Sequence, residues 1–309
     1  MSLDLLIEKI VKTQNPSVVG LDPAVDLIPG FIRKKSYAKH GETLKGAARA
    51  VWEFNKGLID ALCEIVPAVK PQSAFYEALG VEGVKTLCKT CEYAKKRGMY
   101  VILDGKRGDV GSTASWYASA YLGTVKIGEN EYEPFPADAL TVNAYLGSDG
   151  VKPFIEACGK YDRGVFVLVK TSNPSSGELQ DKTADGRAVY EIMGDMCAEW
   201  GKNIIGKYGY SGAGAVVGAT YPEQIARLRK RLPNTFFLIP GYGAQGGKAE
   251  DLAAAFGKDG LGGVVNSSRG IIAAYKNERR GERDYAGAAY RSAVHMRDDI
   301  MKRIHKITI

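Results

Sequence analysis

The sequence of 309 residues has only three histidines, an odd number of cysteines and no long apolar run. Five cysteines at irregular spacing form no disulfide framework, and no apolar stretch approaches the length of a membrane span. The first residues are acidic and amphipathic rather than basic and then apolar, so a signal peptide is not indicated. These absences favour a reducing, cytoplasmic setting and no association with membranes.

Two local features that could suggest ligand binding have simpler interpretations. Cys88 and Cys91 have CxxC spacing, but without a second pair or a nearby histidine this spacing favours one face of a helix over a metal or redox site. The formal net charge is +7, from 42 Lys and Arg against 35 Asp and Glu, so anionic ligands fit the composition. Much of the excess lies near the C-terminus, but acids are interspersed there, which favours a solvated helix face over an arm that binds nucleic acid.

The sequence is instead rich in short β-prone runs, each ending in polar or Gly-rich residues. Hydrophobic residues make up 45% of the chain and charged residues 25%, so a substantial core can form. The eight runs lie at 18–21, 68–69, 100–103, 139–142, 164–169, 213–218, 235–239 and 263–265. Between them apolar residues recur at helical spacing, as at 44–62 and 81–94, and a proline at position 222 opens a further helix. Strands alternating with helices eight times predict a parallel (β/α)8 TIM barrel of the α/β class, with a doubly wound sheet as the alternative.

The chain shows no internal boundary between domains. No Pro/Ser-rich linker or change of composition divides it, so a single domain over residues 1–309 is predicted. Three segments, at about 24–43, 125–137 and 173–187, are longer than minimal loops. We expect them to be insertions near the rim of the barrel, where they could act as lids.

The third run leads into the most informative group of ionisable residues. Residues 100–103 continue into Asp104, Lys106 and Asp109, with glycines at positions 105 and 108. In an extended chain residues 104 and 106 point to the same face, and the carboxyl end of a parallel strand is where α/β folds build their sites. Two carboxylates around one ammonium therefore predict a functional site, with a surface cluster of salt bridges as the alternative.

Polar residues also follow the other predicted strands, and in a barrel they share one face. These residues are Asp22, Lys70, Asn143, Ser172, Asn173, Gln245 and Arg269. The histidines lie elsewhere, with His40 in an insertion and His295 and His305 in the C-terminal helix. Acid–base chemistry would therefore fall to lysine and carboxylate groups. This suits a reaction with a carbanion-like intermediate, because an ammonium can stabilise the negative charge and then donate a proton.

A glycine-rich loop follows the seventh run. Residues 241–246, Gly-Tyr-Gly-Ala-Gln-Gly, satisfy the GxGxxG pattern of dinucleotide sites, but they do not open the fold, and the next strand ends without an acid for a ribose. We interpret the loop as a phosphate site, because barrels often bind phosphate after strands seven and eight. Arg269 after strand eight adds a bidentate donor. Tight turns with a surface arginine are the alternative.

Taken together, these strand ends resemble the orotidine 5′-phosphate decarboxylase family, in its longer bacterial variety (type 2). The resemblance is carried by Asp104-x-Lys106-x-x-Asp109 and by three further motifs. Those motifs are Val19-Gly-Leu-Asp-Pro, Val69-Lys-Pro-Gln-Ser-Ala-Phe and Pro240-Gly-Tyr-Gly-Ala-Gln-Gly-Gly. The resemblance implies a barrel enzyme that decarboxylates orotidine 5′-phosphate to UMP and CO2. It also implies that the enzyme uses no metal or cofactor and is a homodimer with shared active sites.

The resemblance assigns expected catalytic roles residue by residue. Lys106 matches the lysine that protonates C6, and Asp104 matches the carboxylate that lies against the substrate carboxylate. Asp22 and Lys70 match the outer members of an alternating charge network. Asp109 matches the aspartate that is contributed across a dimer interface.

The same resemblance identifies residues that are expected to bind the substrate. They are Thr113, Asn143, Ser172, Gly243, Gln245, Ser268 and Arg269. Thr113 accompanies the shared aspartate, and Ser172 resembles the serine that reads the pyrimidine. Gln245 and Arg269 resemble the pair that grips the phosphate.

Three other functions stay open at this point. A sugar-phosphate decarboxylase or aldolase of the same barrel family would hold Mg²⁺ with carboxylates, but strand two ends in Lys70 and strand four in Asn143. A class I aldolase would use Lys106 or Lys170 as a Schiff base, but flanking carboxylates keep an amine protonated. A phosphoribosyl-binding barrel without catalysis is the non-enzymatic alternative.

Overall fold

A closed barrel of eight parallel strands forms the centre of the molecule. The computed structural model describes residues 2–243 and 246–309. The barrel strands, β1 to β8, are Ser17–Leu21, Ala68–Pro71, Tyr100–Arg107, Ala139–Val142, Gly164–Lys170, Ala213–Val217, Phe237–Pro240 and Gly263–Ser267. Each strand is parallel to its neighbours, and β1 pairs with β8 to close the barrel. The predicted (β/α)8 barrel is therefore confirmed. Within the two described ranges, no helix has the length and apolar character that crossing a membrane requires.

Helices surround the barrel, and three of them lie where the sequence predicts them, at 44–62, at 81–94 and from Pro222 onwards. In the described part of the chain, α1 to α12 are Ser2–Thr13, Gly30–His40, Leu44–Leu62, Ser73–Glu77, Gly80–Lys96, Gly111–Leu122, Ser148–Tyr161, Val189–Gly201, Pro222–Arg231, Ala249–Leu252, Arg269–Ile272 and Tyr285–Met301. Short 3-10 turns lie at Val25–Leu27, Pro174–Glu178, Ala253–Ala255, Ala274–Asn277 and Glu282–Asp284. α3 begins where Thr43 caps it, since the Thr43 Oγ1 accepts a hydrogen bond from the Gly46 N–H at 3.1 Å.

The strands bury one set of side chains inside the barrel and the other set against the helices. This follows from the alternation of side chains along a strand. The lower interior of the barrel is apolar and includes Val18, Ala68, Ile102, Phe166 and Leu238. Helix α1, which sequence analysis did not place, closes this end with Leu3, Leu6, Ile7 and Ile10, which belong to the same core. The opposite end of the barrel is left for polar groups.

The third strand is longer than the sequence predicts. β3 continues to Arg107, so Asp104 and Lys106 lie within the strand rather than after it. The ladder to β4 shifts its register between Leu103 and Arg107. The inward-facing alternation that begins at Tyr100 therefore extends through the ionisable residues.

Each predicted insertion contains secondary structure of its own. Residues 24–43 hold a 3-10 turn and α2, and residues 125–137 hold a hairpin of Val125–Ile127 and Asn130–Tyr132. Residues 173–187 hold a 3-10 turn and most of a second hairpin, formed by Thr183–Ala184 and Arg187–Ala188. Of the three segments, the third contributes side chains to the cavity described next.

Candidate active site

The inward-facing side chains at the carboxyl ends of the strands line a cavity. Lys70 follows Ala68, and Asp104 follows Ile102, each two residues further along its strand. The cavity has a volume of about 520 Å³. Its lining includes eight of the predicted site residues, namely Asp22, Lys70, Asp104, Lys106, Ser172, Asn173, Ser268 and Arg269. The fold therefore brings together residues from five barrel strands or the segments that follow them.

Asp104 is the centre of this group, because four donors share its carboxylate. The Lys70 Nζ lies 2.6 Å from Oδ2, and the Lys106 Nζ lies 2.6 Å from Oδ1. The Gln72 Nε2 donates to Oδ2 at 2.9 Å, and the Thr141 hydroxyl donates to Oδ1 at 2.8 Å. Each carboxylate oxygen thus has two directional partners, which fix the orientation of the group.

Charge and burial shift the pKa values of Asp104 and Lys70 in opposite directions. Burial alone would raise the pKa of Asp104, but the charges and hydrogen bonds of Lys70 and Lys106 outweigh it and lower the pKa below its ordinary value of 3.8. Burial alone would lower the pKa of Lys70, but the carboxylates of Asp104 and Asp22 raise it above 10.5. Asp104 and Lys70 are therefore both charged at neutral pH.

Lys106 lies at the exposed end of the network. Its side chain is 46% exposed, compared with 8% for Asp104. Its φ of +45° is in the left-handed region, which is uncommon for a residue other than glycine. The Lys106 N–H donates to the Thr141 hydroxyl at 2.9 Å, and this bond supports the unusual backbone. The ammonium is thereby directed into the cavity from a fixed point on β3.

The glycine-rich loop after β7 forms another part of the cavity wall. Gly241, Gly243 and Gly246 have φ values of 104°, 72° and 94°, a region that glycine enters without the cost of a Cβ. Tyr242 lines the cavity, and its hydroxyl donates to the Asp299 Oδ2 of α12 at 2.6 Å. Burial, followed by this hydrogen bond and the charge of Asp299, raises the pKa of Tyr242. The loop is thus tied to the outer helix layer.

Several cavity groups lack a partner within the described residues. The guanidinium of Arg269 is exposed and has no ion-pair or hydrogen-bond partner there, so it is available to an anion. The Asp22 Oδ1 and the Asn266 Oδ1 are buried acceptors without a donor among the same residues. Because buried acceptors are costly when unpaired, a ligand with hydroxyl groups would satisfy them. The predicted Gln245 lies outside the described residues.

Four other predicted residues lie outside this cavity. The carboxylate of Asp109 accepts a hydrogen bond from the Val110 N–H at 2.7 Å. Thr113 on α6, Asn143 after β4 and Gly243 in the glycine-rich loop are exposed. A role for Asp109 and Thr113 in the site of a second subunit stays a prediction, as do the substrate contacts of Asn143 and Gly243.

Several polar residues of the cavity were not predicted from the sequence, including Gln72, Thr141, Gln180 and Asn266. Gln72 had a signal, because it stands two residues beyond Lys70 and so continues the inward-facing positions of β2. Thr141 follows the same rule within β4. Gln180 lies in an insertion without periodicity, so no local pattern placed it in the cavity.

Comparison with known proteins identifies the family. Residues 42–283 match the profile of the orotidine 5′-phosphate decarboxylase / HUMPS family. A curated relative named orotidine 5′-phosphate decarboxylase, from Caldicellulosiruptor bescii, is 43% identical over 297 residues, which cover 96% of this chain and 97% of the relative. A relative of the same name from Rhodopirellula baltica is 46% identical over 269 residues, or 87% of each chain. The solved structure of Leishmania donovani OMP decarboxylase is 32% identical with a TM-score of 0.69, and the match covers 96% of this chain and 99% of that one. This chain therefore belongs to the orotidine 5′-phosphate decarboxylase / HUMPS family.

Proposed function

We propose that this protein decarboxylates orotidine 5′-phosphate to UMP and CO2. The observation that carries the proposal is the position of the Lys106 ammonium. It lies 2.6 Å from Asp104, at the exposed end of the network formed by Lys70, Asp104 and Lys106. The two curated relatives described above are named for this activity, and the matches cover 97% and 87% of their lengths.

The cavity offers a group for each part of this substrate. The glycine-rich loop and Arg269 would hold the phosphate, since backbone N–H groups and a guanidinium both suit that anion. Asp22 and Lys70 would accept and donate hydrogen bonds at the ribose hydroxyls. Ser172 would bind the pyrimidine ring, and the substrate carboxylate would then lie beside Asp104.

The chemistry follows from the position of Lys106. Decarboxylation breaks the bond between C6 and the carboxylate carbon and leaves the electron pair on C6. The Lys106 ammonium lowers the energy of this carbanion through its charge and then donates a proton to C6. Asp104 holds the Lys106 ammonium in position at 2.6 Å and crowds the departing carboxylate. The half-exposed Lys106 side chain regains a proton from solvent.

A sugar-phosphate enzyme that uses Mg²⁺ fits the same site less well. The Asp104 carboxylate is engaged by two ammonium groups, and β2 carries Lys70 at its end rather than an acid that could bind a metal. Across residues 2–243 and 246–309, His, Cys, Asp and Glu side chains form no group of three that could hold a metal ion. The ammonium partners of Asp104 support a reaction that needs no metal.

We also propose that two copies associate through the segments that follow β3 and β4. Val110, Trp116, Tyr145 and Leu146 are apolar yet between 47% and 76% exposed. These segments pack on each other, because α6 lies against α7 and a Cβ at Gly150 would meet the Asp109 carbonyl at 2.9 Å. An exposed apolar patch of this kind is typical of a protein–protein contact. Its position beside Asp109 supports a shared site.

The test is turnover of orotidine 5′-phosphate, followed by the loss of its ultraviolet absorbance. We expect the wild type to be active and indifferent to EDTA. Lys106→Ala should lower kcat by about 10²- to 10⁴-fold, while UMP binds almost unchanged, because the ammonium acts mainly in the transition state. The control is Lys85→Ala, which removes an exposed lysine that pairs with Glu82 on α5. Wild-type kcat in Lys106→Ala would refute the mechanism, and a requirement for Mg²⁺ would favour the sugar-phosphate alternative.

A further inference from the structure

A buried lysine at the end of β5 has no part in the chemistry described above. The Lys170 side chain has no exposed surface, and its Nζ lies 2.8 Å from the Asp181 Oδ1 and 3.1 Å from the Ser176 hydroxyl. The ring of Tyr221 covers a third direction, with its centre 4.5 Å from the Nζ. Each N–H of the ammonium therefore has a partner, as a buried charge requires.

The polar partners of Lys170 belong to the insertion at 173–187. Ser176 lies in its 3-10 turn, and Asp181 follows that turn. The Asp181 Oδ1 also accepts a hydrogen bond from the Gln224 Nε2 of α9 at 3.2 Å. The ion pair between Lys170 and Asp181 thus connects the insertion to the end of β5.

Gln180, the neighbour of Asp181, extends from the insertion to the cavity. Its Oε1 accepts the Thr171 N–H at 2.9 Å, and its Nε2 donates to the Thr171 hydroxyl at 2.8 Å. Gln180 and Thr171 both line the cavity. A primary amide has a second N–H and further lone pairs, and within the described residues these have no other partner. They can therefore meet the donor and acceptor groups on the edge of a pyrimidine.

Gly218, which directly follows β6, restricts the backbone of Thr171 and Ser172 from the other side. The Gly218 N–H donates to the Lys170 carbonyl at 2.7 Å. A Cβ at Gly218 would lie 2.9 Å from the Cα of Ser172, so the backbone there has no room to move towards β6. The position of Thr171 and Ser172 is consequently set by the barrel on one side and by Gln180 on the other.

We propose that the ion pair between Lys170 and Asp181 positions Gln180 and the adjoining backbone, and that Gln180 contacts the base of the bound nucleotide. This inference rests on the proposed function, in which the substrate is a pyrimidine nucleotide. Lys170 and Asp181 do not line the cavity, so they are positioning residues. Gln180 contacts the base together with Ser172.

The test compares the affinities for UMP and for ribose 5-phosphate, which has the sugar and the phosphate but no base. In Asp181→Asn and in Gln180→Ala, we expect calorimetry to show UMP binding about tenfold more weakly and ribose 5-phosphate binding within about twofold of the wild type. Asp181→Glu keeps the charge and should recover part of the UMP affinity. Because Asp181→Asn leaves Lys170 buried without a counter-charge, the double variant Lys170→Met/Asp181→Asn is measured as well and should show the same selective loss.

Asp195 provides a matched control. Its carboxylate pairs with Arg187 of the same insertion and with Arg231, but on the exposed surface. Asp195→Asn makes the same chemical change as Asp181→Asn and should leave the binding of both ligands unchanged, because exposed ion pairs contribute little.

The results distinguish this inference from the function on which it rests. If the wild type prefers UMP and turns over orotidine 5′-phosphate, but the variants keep that preference or weaken both ligands equally, the positioning role is wrong and the proposed function stands. A wild type that turns over orotidine 5′-phosphate but binds UMP no more tightly than ribose 5-phosphate would overturn the base contact alone, whereas a wild type without turnover would overturn the proposed function.

Discussion

At the scale of single residues, the site depends on how many groups share the Asp104 carboxylate. Lys70 and Lys106 supply charge, whereas Gln72 and Thr141 supply direction. A carboxylate that was held by the two lysines alone could rotate, because ammonium groups bind from many directions. The neutral donors therefore determine where Lys106 is held.

Thr141 tests this interpretation, since its hydroxyl bonds both to Asp104 and to the Lys106 N–H. Thr141→Val keeps the shape of the side chain but leaves the Lys106 N–H without an acceptor and removes one of the two donors to the Asp104 Oδ1. We expect kcat to fall by about tenfold and the free energy of unfolding to fall by about 1–3 kcal/mol. Steady-state kinetics and urea unfolding measure the two effects. Thr141→Ser retains the hydroxyl and should stay close to the wild type; equal kinetics for the valine variant would show that the hydroxyl does not position the lysine.

At the scale of elements, the barrel could be predicted from the sequence because the apolar patterns of its strands and helices repeat over only a few residues. Each strand is a short apolar run, and the helices at 44–62 and 81–94 have apolar faces that recur every three or four residues. Lys70, Asp104 and Lys106 were found because each stands at the end of such a run. The contacts of Gln72 and Thr141 with Asp104 join three different strands, so no local pattern shows them.

The insertions and the barrel floor were harder to predict for the same reason. Gln180 bonds to Thr171, its neighbour Asp181 pairs with Lys170, and the hairpin that follows has no apolar period. The sequence of α1 is amphipathic, but only the closed barrel shows that its apolar face covers the lower end of the barrel interior. Packing between distant segments determines both.

Arg229 on α9 illustrates such packing and gives a prediction at this scale. Its guanidinium lies 3.8 Å from the ring centre of Phe237, and burial lowers its pKa to about 10. Its N–H groups donate to the carbonyls of Ala255, Leu232, Pro233, Thr235 and Gly262. Arg229→Met should lower the free energy of unfolding by at least about 3 kcal/mol, because five carbonyls lose a charged donor at once.

Urea unfolding checks the effect against Arg227→Met on the same helix. Arg227 is 59% exposed and pairs with Glu191 at 3.4 Å, so its loss should cost less than about 1 kcal/mol. Equal stability of the two variants would show that the carbonyls near Arg229 find other donors. Activity of folded Arg229→Met at low temperature should be normal, since Arg229 does not line the cavity.

At the scale of the whole molecule, one chain contains most of the proposed site but not all of it. The cavity includes Lys106 and Asp104, whereas Asp109 and Thr113 lie on the segment that leads away from it. The apolar patch around Trp116 lies on the same segment. Symmetric association through this patch would carry the Asp109 of each subunit towards the cavity of the other.

Mixed dimers test this arrangement directly. Lys106→Ala and Asp109→Ala should each be nearly inactive alone, because each damages both sites of a dimer. When the two variants are unfolded together and refolded in equal amounts, half of the dimers should contain one subunit of each kind. Every such dimer has one intact site, in which Lys106 comes from one subunit and Asp109 from the other, so about one quarter of the wild-type rate should return. Trp116→Lys, introduced into both variants, should abolish the recovery and shift the sedimentation coefficient towards that of a monomer. A mixture that stays inactive while sedimenting as a dimer would show that Asp109 serves its own subunit or has no role in catalysis.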